Sequence, residues 1–221
     1  TDCSLGVPGL PQSATGQTAL FTGVNAPAVL GRHLSGQPTK TLRGMLERDN
    51  IFKSLISAGL RVTYANVYRE EYLKQLLDSV DRKMRPSVTT VAALAAGLRL
   101  RTVDDLREGA GVYHDITNRY LIDYGYELPE TSPDTAAQRL LSLVAKFDFV
   151  LYEHFVTDIA GHSQDMERCI RVIETLDQFL GKILENFDLM RNTLIITSDH
   201  GNIEDVSVGT HTLHPVPTVL I

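Results

Sequence analysis

The spacing of hydrophobic residues predicts helices that alternate with short strands. Apolar side chains recur every three or four residues over 41–58, and the polar pair at 49–50 predicts a break into two helices, with Gly59 as the stop. Residues 60–67 alternate and are rich in β-branched and aromatic side chains, which predicts a strand. A short helix is also predicted near Ser13, within an otherwise Gly-, Pro-, Ser- and Thr-rich segment.

The C-terminal pattern is a strand, a long helix and another strand. Residues 147–152 and 192–197 read as strands, and residues 163–187 carry apolar side chains at helical spacing. This order is a βαβ crossover, which predicts that the two strands are parallel. With a further strand at 215–221, the fold class is α/β, with a mostly parallel central sheet flanked by helices.

The middle of the chain is interpreted as a small helical insertion, residues 68–143, within a single domain that spans residues 1–221. Short helices are predicted at 68–80, 88–97, 102–106 and 113–120, followed by a turn at 129–133. No internal repeat is visible.

Composition narrows the function classes. The 221 residues are 43% hydrophobic, enough for one or at most two domains with a sizeable core. Lys and Arg number 21 against 27 Asp and Glu, with no long run of either sign, so we expect no nucleic-acid partner. No apolar stretch approaches the roughly 20 residues of a membrane helix, so we expect a soluble chain with no membrane partner. Nothing in the sequence indicates an oligomeric state.

The two cysteines and the chain ends carry further expectations. Only two cysteines occur, Cys3 and Cys169, and they lie too far apart for a metal knuckle or a CxxC pair. We expect no structural disulfide, which favours a reducing, cytoplasmic location. The chain begins without Met or a signal peptide and ends inside a predicted strand. We therefore expect part of a longer protein, truncated at both ends.

Candidate chemistry follows the predicted strands. Ligands of open α/β sheets collect beyond the carboxyl ends of the strands. Asp158 and His162 follow one strand, Asp199 and His200 follow the next, and His211 precedes the last. Asp158 and His162 are four residues apart, so on a helix they share one face and can share one ion. Mixed carboxylate and imidazole ligands suit zinc or manganese and are poor for calcium.

Each of these patterns also has a simpler interpretation. An Asp and a His four apart on a helix are usually a solvated pair, and Asp-His-Gly after a strand is often a turn. Ser13 at the start of a helix lies near free N–H groups that attract phosphate, which would suit a nucleophile. It could equally be a helix N-cap. The residues alone leave both interpretations open.

Three segments together resemble a known family. They are 158–162 (Asp-x3-His), 198–202 (Ser-Asp-His-Gly-Asn) and 211–217 (His-x3-Pro-Val-Pro). They are similar to the metal-binding motifs of the alkaline phosphatase superfamily, most of all the branch of cofactor-independent phosphoglycerate mutase and phosphopentomutase. Residues 13–16, Ser-Ala-Thr-Gly, have the form of that branch's nucleophile motif. The resemblance implies an alkaline phosphatase-like fold over nearly the whole chain.

The resemblance also implies two divalent metal ions, manganese, zinc or magnesium. One ion would be held by Asp158, His162 and His211, and the other by Asp199, His200 and Ser13. Ser13 would attack the phosphorus of a small phosphate ester and form a phosphoserine. Return of the phosphoryl group to a substrate hydroxyl gives a mutase, and transfer to water gives a phosphatase.

Two departures from the family pattern shape the expectations. The family places a further metal-binding Asp at the end of a first strand, which would precede residue 1, so we expect that strand to be missing and the second ion to bind weakly. The mutases also carry a large cap, for which the interval between Gly23 and Asp158 is too short. Arg32 and His33 are candidates for binding substrate phosphate, or ordinary surface residues. The alternative function is a non-catalytic metal-binding or assembly module with the same fold.

Overall fold

The structure is a computed structural model that describes residues 1–78 and 85–221, apart from the side chains of residues 77 and 78. The predicted helix end at residue 80 and the predicted break at residue 84 lie outside the described residues. In chain order the elements are α1 Ser13–Thr22, α2 Ala26–Leu30, α3 Lys40–Arg48, α4 Ile51–Ser57, β1 Val62–Tyr64, α5 Glu70–Asp78, α6 Val88–Ala95, α7 Val103–Arg107, α8 Arg119–Asp123, α9 Pro133–Val144, β2 Phe149–Leu151, α10 Val156–His162, α11 Met166–Asn186, β3 Ile195–Thr197 and β4 Thr218–Leu220.

Strands β1 and β2 form a parallel pair, which confirms the α/β class. Val62 lies opposite Phe149, and Tyr64 lies opposite Leu151. Parallel bridges continue beyond β1 from residues 66 and 67 to residues 112 and 101. Because β1 and β2 run in the same direction, the residues that follow them emerge at the same edge.

Strands β3 and β4 form a second, antiparallel pair, with Ile195 opposite Leu220. The predicted order of strand, helix and strand is present, but β2 pairs with β1 and β3 pairs with β4. Among the described residues the expected single, mostly parallel sheet is therefore not formed. Within residues 1–78 and 85–221, each of β2 and β3 pairs with one strand, so one edge of each is left without a strand there.

The largest core cluster lies against the β1–β2 pair. Helices α1, α3, α4 and α6 surround Leu42, Leu46 and Phe52, which are fully buried. Asn50 accounts for the break between α3 and α4, as predicted from the sequence, because its side chain accepts from the N–H groups of Phe52 and residue 53. Its amide also donates to carbonyls of α3 and α6, which ties three helices together.

Helices α9 and α11 form a second cluster around Phe179 and Ile183. The predicted helix over 163–187 begins later, at Met166, because Gln164 has a φ of +53° and Asp165 caps α11 by accepting from the N–H of Arg168. The segment that carries Asp158 and His162 is therefore a separate short helix, α10.

The predicted helix at 113–120 is wrong. Ile116 and Asn118 have positive φ values of 71° and 66°, which a right-handed helix does not allow. The carboxylate of Asp115 instead accepts from the N–H groups of Asn118 and Tyr120, and α8 begins at Arg119. Helix α9 was not among the predicted helices; the sequence predicted only the turn that precedes it.

The status of residues 68–143 as an insertion stays a prediction. Helix α6 from this interval packs against α1 and α3.

Within residues 1–78 and 85–221, none of the helices combines the length and the apolar character needed to cross a membrane.

Candidate metal centre

Four segments bring the predicted ligands together: the start of α1, helix α10, the loop after β3 and the loop before β4. The residues that they contribute are Ser13, Asp158, His162, Asp199, His200 and His211. Ligand atoms of Asp158, His200 and His211 all lie within 4.8 Å of one another. Segments up to 198 residues apart in the chain thus form one polar cluster.

Asp158 lies at the centre of this cluster. Its Oδ1 is 3.4 Å from His162 Nε2 and 3.3 Å from His211 Nε2. Helix α10 places Asp158 and His162 one turn apart on the same face, as the four-residue spacing predicted. Burial raises the pKa of Asp158, but the surrounding imidazoles outweigh burial and hold that pKa below its usual range.

Backbone carbonyls orient both imidazoles. His162 Nδ1 lies 3.0 Å from the carbonyl of Gly209, and His211 Nδ1 lies 2.8 Å from that of Pro11. Because a carbonyl only accepts, each Nδ1 carries a hydrogen, and each ring turns its Nε2 towards Asp158. Metal-binding histidines are usually fixed in this way.

Ser13 contacts this cluster through His200. The N-cap of α1 is Gln12, and Ser13 Oγ lies 2.9 Å from His200 Nε2, so the interpretation of Ser13 as a helix cap is wrong. The His200 ring stacks on His211 with centroids 3.7 Å apart. Burial lowers the pKa of His200, which leaves the ring neutral with a lone pair available.

Asp199 lies beside His200, with Oδ1 3.7 Å from His200 Nε2. Burial raises the pKa of the Asp199 carboxyl group, partly offset by His200 and by a hydrogen bond from Gln17. A buried carboxylate of this kind is stabilised by a nearby cation.

Asn202 supports Asp158, a role that the sequence analysis did not assign. Its Nδ2 donates to Asp158 Oδ1 at 2.7 Å. A Cβ atom added to Gly161 would lie 1.8 Å from Asn202 Oδ1, so only glycine leaves room for this amide. Both residues stand inside the quoted motifs, and their contact explains why the two motifs need these residue types.

Glu204 joins the two C-terminal loops and was also missed. It accepts from the N–H of Asn202 at 2.6 Å and from the hydroxyl of Thr212, and it lies 3.3 Å from His214 Nδ1. The loop that carries Asp199 and His200 is therefore fixed to the loop that carries His211.

Arg32 and His33 lie away from these contacts. Arg32 is exposed, and His33 Nε2 lies 3.1 Å from the carbonyl of Val7. With Gln12, the residue before Ser13, both line an open cavity of about 420 Å³. Their role in binding substrate stays a prediction.

The donor set fits a divalent cation. Zinc and similar ions bind imidazole nitrogen and carboxylate oxygen at about 2.0 to 2.2 Å, and ligands at tetrahedral corners are then about 3.4 Å apart. The separations from Asp158 to His162 and to His211 are 3.4 and 3.3 Å. These two separations each suit ligands of one ion, and the set whose three ligand atoms all lie within 4.8 Å of one another is Asp158, His200 and His211.

This fold and this cluster define an α/β protein with a candidate metal centre of carboxylate and imidazole side chains. The chain belongs to the metalloenzyme superfamily, whose family model matches residues 108–221. The matched region contains Asp158, His162, Asp199, His200 and His211. Membership of this superfamily implies divalent-metal binding.

Curated relatives support the resemblance to the phosphoglycerate mutase branch. The chain is 30% identical over 103 residues to the 2,3-bisphosphoglycerate-independent phosphoglycerate mutase of Desulforudis audaxviator, and 34% identical over 105 residues to that of Antithamnion sp.. Each alignment covers 43% of this chain and 20% or 21% of the relative. The chain therefore spans about a fifth of the length of these relatives. Among solved structures, the PH0037 protein of Pyrococcus horikoshii matches 76% of this chain and 39% of its own, with 21% identity and a TM-score of 0.49.

Proposed function

We propose that this protein catalyses divalent-metal-dependent phosphoryl transfer through a phosphoserine at Ser13. The observation that carries the proposal is the 2.9 Å contact between Ser13 Oγ and His200 Nε2 at the edge of the metal cluster. Ser13 opens a ten-residue helix, so its hydroxyl also lies near free N–H groups and the positive end of the helix dipole. The names of the curated relatives, phosphoglycerate mutases, support the same reaction class.

In the proposed reaction, the Ser13 hydroxyl gives its proton to solvent and Oγ forms a bond to phosphorus as the bond from phosphorus to the ester oxygen breaks. That oxygen leaves with the electron pair and takes up a proton from solvent. In the metal-free protein, the lone pair of His200 Nε2 accepts from the Ser13 hydroxyl, because burial keeps the ring neutral. With a cation bound, that lone pair would ligate the cation instead. When bound, divalent ions favour the deprotonated hydroxyl and neutralise phosphoryl oxygens. The N-terminus of α1 adds to this stabilisation.

We also propose the arrangement of two ions. The first ion is assigned to Asp158, His162 and His211, because both imidazole Nε2 atoms lie within 3.4 Å of Asp158 Oδ1, and the second to Asp199, His200 and Ser13. Manganese, zinc and magnesium all suit carboxylate ligands, and the three imidazoles favour manganese or zinc.

The substrate that we propose is a small phosphate ester. The cavity beside Gln12 is large enough for part of such a molecule, and Arg32 offers a bidentate donor for a phosphate or carboxylate group. We propose a cytoplasmic enzyme with one α/β domain in which residues 68–143 form an insertion. Transfer to a second hydroxyl or to water distinguishes a mutase from a phosphatase.

The test is the detection of phosphoserine by mass spectrometry. The chain is incubated with p-nitrophenyl phosphate and Mn²⁺, quenched in acid and digested. We expect phosphate on the peptide that contains Ser13, and none in Ser13→Ala. Ser142→Ala, an exposed serine on α9, is the matched control and should label like the parent.

Turnover that persists in Ser13→Ala would contradict the covalent mechanism. Metal binding without any phosphoserine, with substrates of several classes, would instead favour the non-catalytic metal-binding module.

A further inference from the structure

Gln17 connects two carboxylates next to the metal cluster. It lies four residues after Ser13, so both side chains project from the same face of α1. Gln17 Nε2 donates to Glu153 Oε1 at 3.0 Å, and the same side chain stabilises the charged form of the Asp199 carboxylate and so lowers its pKa. The NH₂ group has two hydrogens, which allows one amide to serve both carboxylates.

Glu153 is itself held by the buried strand pair. The Tyr64 hydroxyl donates to Glu153 Oε2 at 2.9 Å. Asn66 fixes the backbone of Glu153 in both directions, accepting from its N–H at 2.9 Å and donating to its carbonyl at 2.7 Å. Both Tyr64 and Asn66 come from β1 and its continuation. Glu153 therefore offers Gln17 an acceptor at a fixed position.

Helix α1 packs directly against Asp199. A Cβ atom added to Gly16 would lie 2.6 Å from the carbonyl oxygen of Asp199 and 3.3 Å from its Cβ. Gly16 thus allows the close approach that brings Gln17, the next residue, to the Asp199 carboxylate.

We propose that Gln17 is a positioning residue that orients the Asp199 carboxylate towards a bound cation, and that Glu153 holds Gln17 in place. This inference rests on the proposed function, in which Asp199 is a ligand of the second ion. A neutral donor suits this task, because a Lys or Arg at the same place would compete with the cation for the charge of Asp199. The amide also separates two carboxylates that would otherwise repel each other.

The first test is Mn²⁺ titration of the 221-residue chain. Gln17→Leu keeps the approximate size of the side chain and removes its amide. We expect it to weaken the lower-affinity Mn²⁺ site at least tenfold and to leave the higher-affinity site within twofold. Gln178→Leu is the control, because it removes an exposed amide that donates to Asp134, outside the metal cluster, and both sites should stay within twofold.

The second test needs no metal. In urea unfolding of the metal-free protein, Gln17→Leu should lower the midpoint in the parent and lower it by less than half as much in an Asp199→Ala background. Equal losses in the two backgrounds, or an unchanged lower-affinity site in Gln17→Leu, would overturn the inference.

The two proposals fail in different ways. If Ser13 labels normally but Gln17→Leu binds Mn²⁺ like the parent, the positioning role is wrong and the phosphoryl-transfer proposal stands. If the mutations couple in the metal-free protein but no phosphoserine forms, the positioning contact stands and the proposed reaction fails.

Discussion

The two strand pairs differ sharply in burial. In the β1–β2 pair, Val62 and Tyr64 are only 7% and 4% exposed, and helices cover the strands. In the β3–β4 pair, Ile195 and Leu220 are 61% and 70% exposed. Apolar packing therefore stabilises the first pair, whereas the second needs another kind of attachment to the rest of the molecule.

Polar contacts of the candidate metal centre supply much of that attachment. The loops next to β3 and β4 reach the rest of the chain through His200 to Ser13, Asn202 to Asp158, and His211 to the carbonyl of residue 11. The candidate metal centre thus lies between two halves of the molecule. Apolar packing stabilises the half that contains β1 and β2, and hydrogen bonds attach the half that contains β3 and β4. A cation bound to ligands from both halves should stabilise the native state by mass action.

The largest contrast is expected from truncation of one apolar side chain in each half. Phe52 is fully buried, so Phe52→Ala should cost about 3 to 5 kcal/mol of unfolding free energy. Ile195→Ala, at an exposed position, should change it by less than about 1 kcal/mol. Urea unfolding of both variants measures the difference, and similar losses would break the comparison.

Acid should weaken the half that is held by apolar packing. Burial lowers the pKa of His114 to about 3 and that of His154 to about 4, from an ordinary value of 6.5. Below pH 6.5 these two histidines are protonated in the unfolded chain but stay neutral in the folded chain. The free energy of unfolding is therefore highest above that pH and falls as the pH drops towards 4. We expect a loss of about 2 to 4 kcal/mol between pH 7 and pH 5.

A variant isolates the contribution of one of these imidazoles. His114→Phe keeps the stacking on Phe155 and removes the titrating group. Its unfolding free energy should depend less steeply on pH than that of the parent. Identical slopes between pH 7 and pH 5 would show that His114 is not held neutral by burial.

A glycine in the polar half should matter more than its size suggests. Gly161→Ala places a Cβ against Asn202, so we expect a loss of about 1 to 3 kcal/mol and weaker metal binding, because Asp158 loses its support. Gly181→Ala is the control. It lies inside α11 with nothing within 4 Å of the added atom, and should stabilise the chain by about 0.5 to 1 kcal/mol. Equal effects would contradict the tight contact.

The smallest effect is expected from an exposed ion pair beside β1 and β2. The Arg61 side chain and N–H lower the pKa of Asp148 to about 2. The stabilisation is therefore present above about pH 4 and is lost as the pH falls towards 2. Asp148→Asn should shift the urea midpoint less than any variant above, and a shift as large as that of Phe52→Ala would show that the pair matters as much as the core.

The sequence predicted the parts of this molecule that depend on local pattern. Asn50 marks the break between α3 and α4, and the spacing of Asp158 and His162 places them on one face of a helix. The antiparallel pairing of β3 and β4 was not predicted, because strand partners depend on tertiary context. The helix start at Arg119 was missed because Ile116 adopts a positive φ that its residue type does not suggest.

The residues of the candidate site also divide into those that a sequence pattern indicated and those that depend on tertiary context. Motif resemblance indicated the candidate ligands, and the structure brings these residues together. It did not indicate Gln17 or Glu204, because their roles depend on partners outside their own local pattern. Gln17, for example, contacts Glu153, which is 136 residues away. The sequence around Gln17 and Glu204 shows a polar side chain at each position but does not indicate its partner.

The most direct test of the metal centre is Mn²⁺ binding measured on the parent, Ser13→Ala and His211→Ala chains under the same conditions. We predict one tightly bound ion in the parent, retained in Ser13→Ala and lost in His211→Ala, because our proposal assigns His211 to the first ion and Ser13 to the second. No bound ion in the parent, or parent-like binding in His211→Ala, would contradict the assignment of Asp158, His162 and His211 as a metal site.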